Sequence, residues 1–135
     1  MKCIENILYK EALKAYKHKE VPVGCVITKN GKIIAKAHNI RQKTCLCINH
    51  AEIIAVLKAE KRIKDWRLDE CDLYVTLKPC NMCYEVIKQA RIRNVYYILN
   101  SNFNNNVKCA TYVEYNVDNS LRFRELLSDF FKNKR

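Results

Sequence analysis

The chain has 135 residues, with 25 Lys and Arg against 14 Asp and Glu, which gives a formal net charge of +11. This length accommodates one hydrophobic core, so residues 1–135 are predicted to form a single domain. The chain has no run of about eighteen apolar residues, and its first residues are amphipathic, which argues against a membrane span or a secretory signal. We therefore expect a soluble, cytoplasmic protein with reduced cysteines and no membrane partner.

Hydrophobic periodicity predicts alternating helices and strands. The first predicted elements are a helix over 3–17, a strand from Val21 to Ile27 and, after a hairpin turn at Asn30-Gly31, a strand from Lys32 to Ala37. A helix over about 50–64, a strand over 71–77, a helix over about 80–90 and a strand over 94–99 follow. This alternation predicts helices packed on a mostly parallel sheet.

The C-terminal part is predicted to contain a loop, a short strand and a helix. Five of the seven residues from Asn100 to Asn106 are asparagine, which is typical of a loop. A short strand is predicted from Tyr112 to Val117. The final helix is amphipathic, with apolar residues at helical spacing: Phe123, Leu126, Leu127, Phe130 and Phe131.

The most informative motif is a His-x-Glu sequence at 50–52 followed by Pro-Cys-x-x-Cys at 79–83. One imidazole and two thiolates are ligands that zinc prefers, and three protein ligands leave a fourth position open for water, as in catalytic zinc sites. A helix N-terminus at the two cysteines would favour their thiolate forms. We therefore predict one Zn²⁺ per chain, bound by His50, Cys80 and Cys83, with Glu52 as the proton carrier.

Each part of this motif also has a structural interpretation. Asn49 could be the N-cap of the helix, with Glu52 reaching back to its amide in a capping arrangement. The cysteine pair alone would equally suit a redox pair or half of a structural zinc site. The occurrence of His50, Glu52, Cys80 and Cys83 in this order favours the catalytic zinc site.

Four further cysteines can be interpreted from their surroundings. Cys25 and Cys71 lie in apolar, strand-like runs and are predicted to be buried core residues. Cys45 and Cys47 lie shortly before His50 and could supplement or compete for the metal. One intervening residue is, however, an uncommon spacing between zinc ligands.

The excess of positive charge favours a polyanionic partner. Only Glu125 and Asp129 oppose the basic residues of the last fifteen positions, which are Arg122, Arg124, Lys132, Lys134 and Arg135. A basic C-terminal helix would suit the phosphate groups of a nucleic acid, although a solvated helix face has a similar composition.

Several segments beyond the zinc motif resemble bacterial tRNA-specific adenosine deaminases of the zinc-dependent cytidine and deoxycytidylate deaminase superfamily. The segments are Glu20-Val21-Pro22-Val23-Gly24, Ala37-His38-Asn39, the stretch at 73–83 and the tail at 126–131. The resemblance implies a three-layer α/β/α cytidine-deaminase-like fold, with a mixed five-stranded sheet and helices on both faces. It also implies a homodimer that converts adenosine to inosine at the wobble position of a tRNA anticodon loop.

The resemblance further implies which residues contact the substrate. Asn39 and the Ala51 backbone would hydrogen-bond the flipped base, Val23 would line its pocket, and Phe131 on the final helix would help to shape the site around the anticodon loop. The chain departs from the family pattern at Lys78, at 84–85 and in a shorter segment after residue 99.

Two other functions remain open from the sequence. A deaminase of a free base or nucleotide, such as cytosine, guanine or dCMP, would share the zinc site but would not need the charge of +11. A non-catalytic RNA-binding module could instead close a structural zinc site with four thiolates, from Cys45, Cys47, Cys80 and Cys83.

Overall fold

A computed structural model describes residues 2–100, 111–115, 117 and 119–133 of the chain. The helices are α1 (Lys2–Lys17), α2 (Arg41–Thr44), α3 (Ala51–Ile63), α4 (Asn81–Ala90) and α5 (Ser120–Asn133). The strands are β1 (Gly24–Lys29), β2 (Lys32–His38), β3 (Cys71–Leu77), β4 (Asn94–Leu99) and β5 (Thr111–Glu114). The predicted Asn-rich loop beyond residue 100, residue 116 of the predicted last strand, and Lys134 and Arg135 lie outside the described residues.

The five strands form one mixed sheet in the order β2-β1-β3-β4-β5. β1 pairs antiparallel with both β2 and β3, whereas the β3–β4 and β4–β5 pairs are parallel. The prediction of a mostly parallel sheet from helix–strand alternation is therefore wrong, and the mixed sheet implied by the family resemblance is confirmed. The alternation of helices and strands along the chain does not identify which strands are neighbours in the sheet. β2 precedes α3 and β3 follows it, yet β3 pairs with β1 and not with β2.

Apolar side chains on the two faces of the sheet form two core clusters, which give the fold its three layers. Ile27 and Leu73 pack on the face covered by α3 and α4. Val26 and Tyr74, each one residue away along its strand, pack on the face covered by α1 and α5. Because side chains alternate across a strand, helices on both faces leave these central strands buried on both sides. The predicted three-layer α/β/α architecture is confirmed.

Local details refine the predicted boundaries. β1 begins at Gly24 and not at Val21 because Pro22 has no amide hydrogen for the sheet, while the Val23 amide bonds to the Val21 carbonyl at 2.8 Å. Cys25 and Cys71 are buried, as predicted. α2 was not predicted, since one turn without buried side chains has no apolar periodicity.

The first helix passes very close to the start of β1. A Cβ atom on Gly24 would lie only 2.7 Å from the Leu8 carbonyl oxygen and 2.8 Å from the Glu11 Cβ. Glycine is therefore required here for α1 to approach the strand. In the part of the chain that the structure describes, no helix combines the length and the apolar character needed to cross a membrane.

A buried carboxylate on α1 holds the end of β2. Glu11 accepts hydrogen bonds from Lys14 Nζ at 2.8 Å and from His38 Nδ1 at 3.0 Å. Burial acts to raise the pKa of Glu11, but the bonds to His38 and Lys14 outweigh it and lower this pKa to about 2. The residue that precedes Asn39 is thus fixed against α1.

We predict that Glu11→Gln lowers the free energy of unfolding by about 3 kcal/mol at pH 6, because the pKa falls from 4.5 to about 2 on folding. The folded-state pKa lies below the unfolded-state value, so this stabilisation is complete above about pH 4.5 and is lost as the pH falls towards 2. Urea unfolding at pH 6 and pH 3 measures it, with the exposed Glu125→Gln as control. An equal loss for Glu11→Gln at both pH values would contradict the assignment.

Candidate active site

The start of α3 is fixed by the side chain of Asn39, the residue that follows β2, and not by its own neighbours. His50 is the N-cap residue but makes no side-chain capping bond. Instead, the Ala51 amide donates to Asn39 Oδ1 at 2.7 Å, while Asn49 Nδ2 donates to Thr44 Oγ1. The alternative in which Asn49 caps the helix is therefore wrong, because that side chain is engaged within the preceding loop.

The start of α4 carries the two cysteines of the motif. Cys80 is the N-cap residue, so Pro79 lies just before the helix, and Cys83 is in its first turn. The Tyr84 amide donates to the Cys80 carbonyl at 2.8 Å, which closes that turn. Because β3 ends at Leu77, both cysteines lie at the edge of the sheet where β3 ends.

The structure brings His50 together with Cys80 and Cys83. His50 Nδ1 lies 3.7 Å from Cys80 Sγ and 3.4 Å from Cys83 Sγ, and the three donor atoms are all within 4.8 Å of one another. Tetrahedral zinc with ordinary Zn–N and Zn–S bonds requires N–S separations of about 3.6 Å. Both N–S separations are therefore close to those expected around a bound zinc ion.

The cluster also has suitable charge. The pKa of Cys80 is lowered to about 3, first by its hydrogen bond with Cys83 and then, against the effect of burial, by His50. The same bond between the cysteines, together with burial, raises the pKa of Cys83. The hydrogen bond to Cys80 also raises the pKa of His50, and this effect outweighs burial, which acts to lower that pKa. A thiolate at Cys80 is thus available to a cation, and a cation would displace the remaining proton.

Glu52 lies in the first turn of α3, beside this cluster. Its carboxyl group is buried, and burial raises its pKa to about 7, partly offset by its own backbone amide and by His50. A carboxyl group with this pKa can both accept and donate a proton near neutral pH. The capping alternative is not observed, because the Asn49 amide donates to the Leu46 carbonyl at 3.1 Å and the Glu52 carboxyl group lies beside Cys83.

The residues expected to contact the base lie in the interior of the fold. Val23, Asn39 and Ala51 are all buried. Asn39 accepts from the Ala51 amide through Oδ1 and donates through Nδ2 to the Val21 carbonyl at 3.1 Å. The Ala51 amide is therefore engaged by Asn39, whereas the Asn39 side chain retains one acceptor and one donor position.

Phe131 lies elsewhere in the fold. It is on α5, which packs against α1 and β4 on the face of the sheet opposite α3 and α4. Its side chain is 53% exposed and its ring contacts that of Phe130, with centroids 5.3 Å apart. The structure does not bring Phe131 into the cluster formed by the other predicted residues.

Arg122 anchors α5 and is not a free basic side chain. Its guanidinium donates to Glu5 at 2.9 Å and to Asn6 at 3.0 Å, and lies 4.3 Å from the Tyr9 ring centroid. The prediction that the basic tail suits phosphate groups therefore does not extend to this residue. Arg124 and Lys132 are exposed on the same helix.

The positions that depart from the family pattern have partners in this chain. Lys78 Nζ lies 5.5 Å from the centre of the Tyr97 ring. The ring of Tyr84 lies 6.1 Å from that of Tyr112 on β5. Both contacts lie near the start of α4, where the donor atoms of the cluster remain close to one another.

The other cysteines considered as ligands, Cys45 and Cys47, are not part of the donor cluster. Cys45 and Cys47 are exposed, and among the described residues the group able to hold a metal consists of His50, Cys80 and Cys83.

Sequence reasoning assigned no role to Glu20, whose carboxylate accepts hydrogen bonds from the loop before His50. The signal for it in the sequence is its place at the start of the 20–24 segment that resembles tRNA-specific adenosine deaminases.

The chain is similar to known proteins in sequence and in fold. Residues 3–99 match the family model of the cytidine and deoxycytidylate deaminase zinc-binding region. The chain is 44% identical over 88 residues to the tRNA-specific adenosine deaminase of Bacillus subtilis (strain 168), which covers 65% of this chain and 55% of that protein. A solved structure from work on A-to-I editing by tRNA:A34 deaminases at the wobble position of transfer RNA is similar, with 30% identity and a TM-score of 0.77, over 82% of this chain and 95% of that one.

The fold itself is shared more widely. A guanine deaminase from Nitrosomonas europaea has a TM-score of 0.81 over 93% of this chain and 81% of that one, at 15% identity, which shows a common fold alone. The chain spans little more than half the length of the first tRNA-specific adenosine deaminases that it matches. The family match includes α3, α4 and every donor atom of the cluster, and the chain belongs to the cytidine and deoxycytidylate deaminase family.

Proposed function

We propose that this protein is a zinc-dependent hydrolase that converts adenosine to inosine at the wobble position of a tRNA anticodon loop. The observation that carries the proposal is a buried carboxyl group, Glu52, beside the three metal donors His50, Cys80 and Cys83. The similarity to tRNA-specific adenosine deaminases supports the choice of substrate.

The three donors would hold one zinc ion per chain, which when bound supplies an activated water at neutral pH. Three protein ligands leave room for that water, whereas a fourth thiolate would exclude it. Cys45 and Cys47 are exposed and separate from the donor cluster, which supports an open site over the four-thiolate alternative.

Glu52 would carry the proton. Its carboxylate takes a proton from the attacking water and then delivers protons to the ring nitrogen and to the departing amine, so that adenosine and water give inosine and ammonia. A pKa raised to about 7 by burial suits both steps, because neither the acid nor the base form is scarce near neutral pH.

Asn39 would recognise the flipped base, with Val23 and Ala51 forming the wall of the pocket. The Asn39 amide keeps one acceptor and one donor position beyond its bonds to Ala51 and Val21. This pair matches the amine and N7 of adenine, which an Asn side chain binds in two contacts. Phe131 would act outside the pocket, against the anticodon loop, since its side chain is exposed.

The charge and the surface support a single-stranded RNA partner and a homodimer. The net charge of +11 favours a polyanion, and a loop presents its bases at a low cost of unstacking.

Leu57 and Trp66 are each about half exposed beside a shallow cleft between α3 and α4, which suits burial against a second copy of the chain in a homodimer. Inosine formation in tRNA would take place in the cytoplasm.

We predict that Cys80→Ala and Cys83→Ala each abolish zinc binding and lower stability, because each removes one of three donors. Metal analysis of dialysed protein by mass spectrometry measures this. The double variant Cys45→Ala, Cys47→Ala serves as control and should keep one zinc per chain. Loss of zinc from that control, with zinc retained in His50→Ala, would contradict the ligand assignment.

A second substitution separates the chemistry of Glu52 from its structural role. Glu52→Gln keeps the shape of the side chain but cannot accept the proton, so turnover should fall by at least about 10²-fold. Zinc content and RNA affinity should remain unchanged, because Glu52 is not proposed as a ligand. Turnover close to that of the unaltered protein would leave Glu52 without a catalytic role.

The substrate class is tested by incubation with total tRNA, followed by nucleoside analysis for inosine and uridine. We expect inosine from tRNA and from an anticodon stem–loop, and little turnover of free adenine, cytosine or guanine. RNA binding should weaken with salt, with a slope of about 0.7 per phosphate contact. High activity on a free base with none on tRNA would contradict the proposed substrate.

The contribution of α5 is tested in the same assay. Reversal of Arg124 and Lys132 to Glu should weaken stem–loop binding by at least about tenfold at low salt, because two phosphate contacts become repulsive. Reversal of Arg62 and Lys64, which are exposed at the far end of α3, changes the net charge equally and is the matched control. If both reversed pairs weaken stem–loop binding equally, the effect comes from net charge alone, and α5 makes no specific contribution.

A further inference from the structure

Glu20 is a buried acidic residue whose carboxylate acts on a distant loop. Glu20 is only 2% exposed to solvent. One carboxylate oxygen accepts the Gln42 amide at 3.0 Å, and the other accepts the Lys43 amide at 2.9 Å. Both amides lie in the first turn of α2, where a helix provides no internal acceptor. Glu20 therefore fastens α2 to the segment that leads into β1.

The loop over residues 40–49 is closed at its base by further hydrogen bonds. The Ile40 amide donates to the Asn49 carbonyl at 3.1 Å, and Thr44 Oγ1 donates to the Ile40 carbonyl at 2.6 Å. The residues on either side of this closure are Asn39 and His50. A change in the loop would therefore alter the separation between the amide of the base pocket and a proposed zinc ligand.

This loop cannot be held by packing alone. None of the side chains from 41 to 48, all of which the structure describes, is buried. Its shape therefore depends on hydrogen bonds, and Glu20 supplies two of them from outside the loop. Separation of this buried carboxylate from its two amide donors would cost free energy, because it would leave a buried charge without hydrogen bonds.

We propose that Glu20 is a positioning residue, which fixes the 40–49 loop and thereby holds Asn39 and His50 at the separation that the base and the metal require. Glu20 acts through these residues and contacts neither the base nor the metal. The part of the proposal that concerns the base rests on the proposed function, whereas the part that concerns the loop and His50 does not.

Glu20→Gln tests the proposal. Glutamine has the same length, but its amide nitrogen would face a donor amide of α2, so one of the two hydrogen bonds is lost. Hydrogen exchange of the amides from 41 to 50 should become faster by about tenfold or more, as expected for loss of a bond to a charged group. Zinc transfer to a chelator should accelerate by a similar factor, and KM for an anticodon stem–loop should rise by about tenfold.

Asp72→Asn is the matched control. Asp72 accepts from Arg93 and Asn94 at the start of β3, the end of the strand opposite the cysteines. This variant should weaken the fold without changing loop exchange, zinc transfer or KM. Glu20→Asp keeps the charge and should give a smaller change in the same three quantities, and it replaces Glu20→Gln if that variant does not fold.

The possible results are distinct. Unchanged loop exchange and zinc transfer in a folded Glu20 variant, or equal changes in Asp72→Asn, would overturn the positioning role. If the unaltered protein does not act on the stem–loop, the proposed substrate fails, and loop exchange and zinc transfer still decide the role of Glu20.

Discussion

One buried hydrogen bond, from the Ala51 amide to Asn39 Oδ1, joins the end of β2 to the start of α3. The same side chain donates to the Val21 carbonyl, so three segments of the chain meet at Asn39. Because Ala51 lies between His50 and Glu52, this bond orients the turn that carries both a metal donor and the proposed proton carrier. Loss of the Asn39 side chain would leave a buried amide without an acceptor, at a cost of about 1–3 kcal/mol. Stability and chemistry therefore depend on the same contact.

Two buried glutamates show how the surroundings divide structural from chemical roles. Glu11 is bonded to His38 and Lys14, and these partners overcome burial and lower its pKa to about 2. Burial dominates at Glu52 and raises its pKa to about 7. A buried carboxyl group with a raised pKa destabilises the fold whenever it is ionised, and such groups concentrate at functional sites. The fold therefore retains at Glu52 a group that the proposed proton transfer needs and that stability does not.

Local sequence predicted much of the site, and the remainder depends on contacts between distant segments. The helices that begin at Ala51 and Asn81 follow from apolar spacing and from the zinc motif. The bonds from Glu20 to α2 and from Asn39 to α3 could not be predicted, because periodicity does not tell which polar side chains meet. Arg122 illustrates the same limit: its charge indicated phosphate binding, but in the structure it is bonded to Glu5 across α1 and α5.

X-ray absorption at the zinc edge is the most direct test for a zinc site with three protein donors and an open position. For the purified protein, we expect two sulfur ligands at about 2.3 Å and two lighter ligands at about 2.0–2.1 Å, one from His50 and one from water. Four sulfur ligands at about 2.3 Å would contradict an open catalytic site, because a closed thiolate site leaves no position for a reacting water.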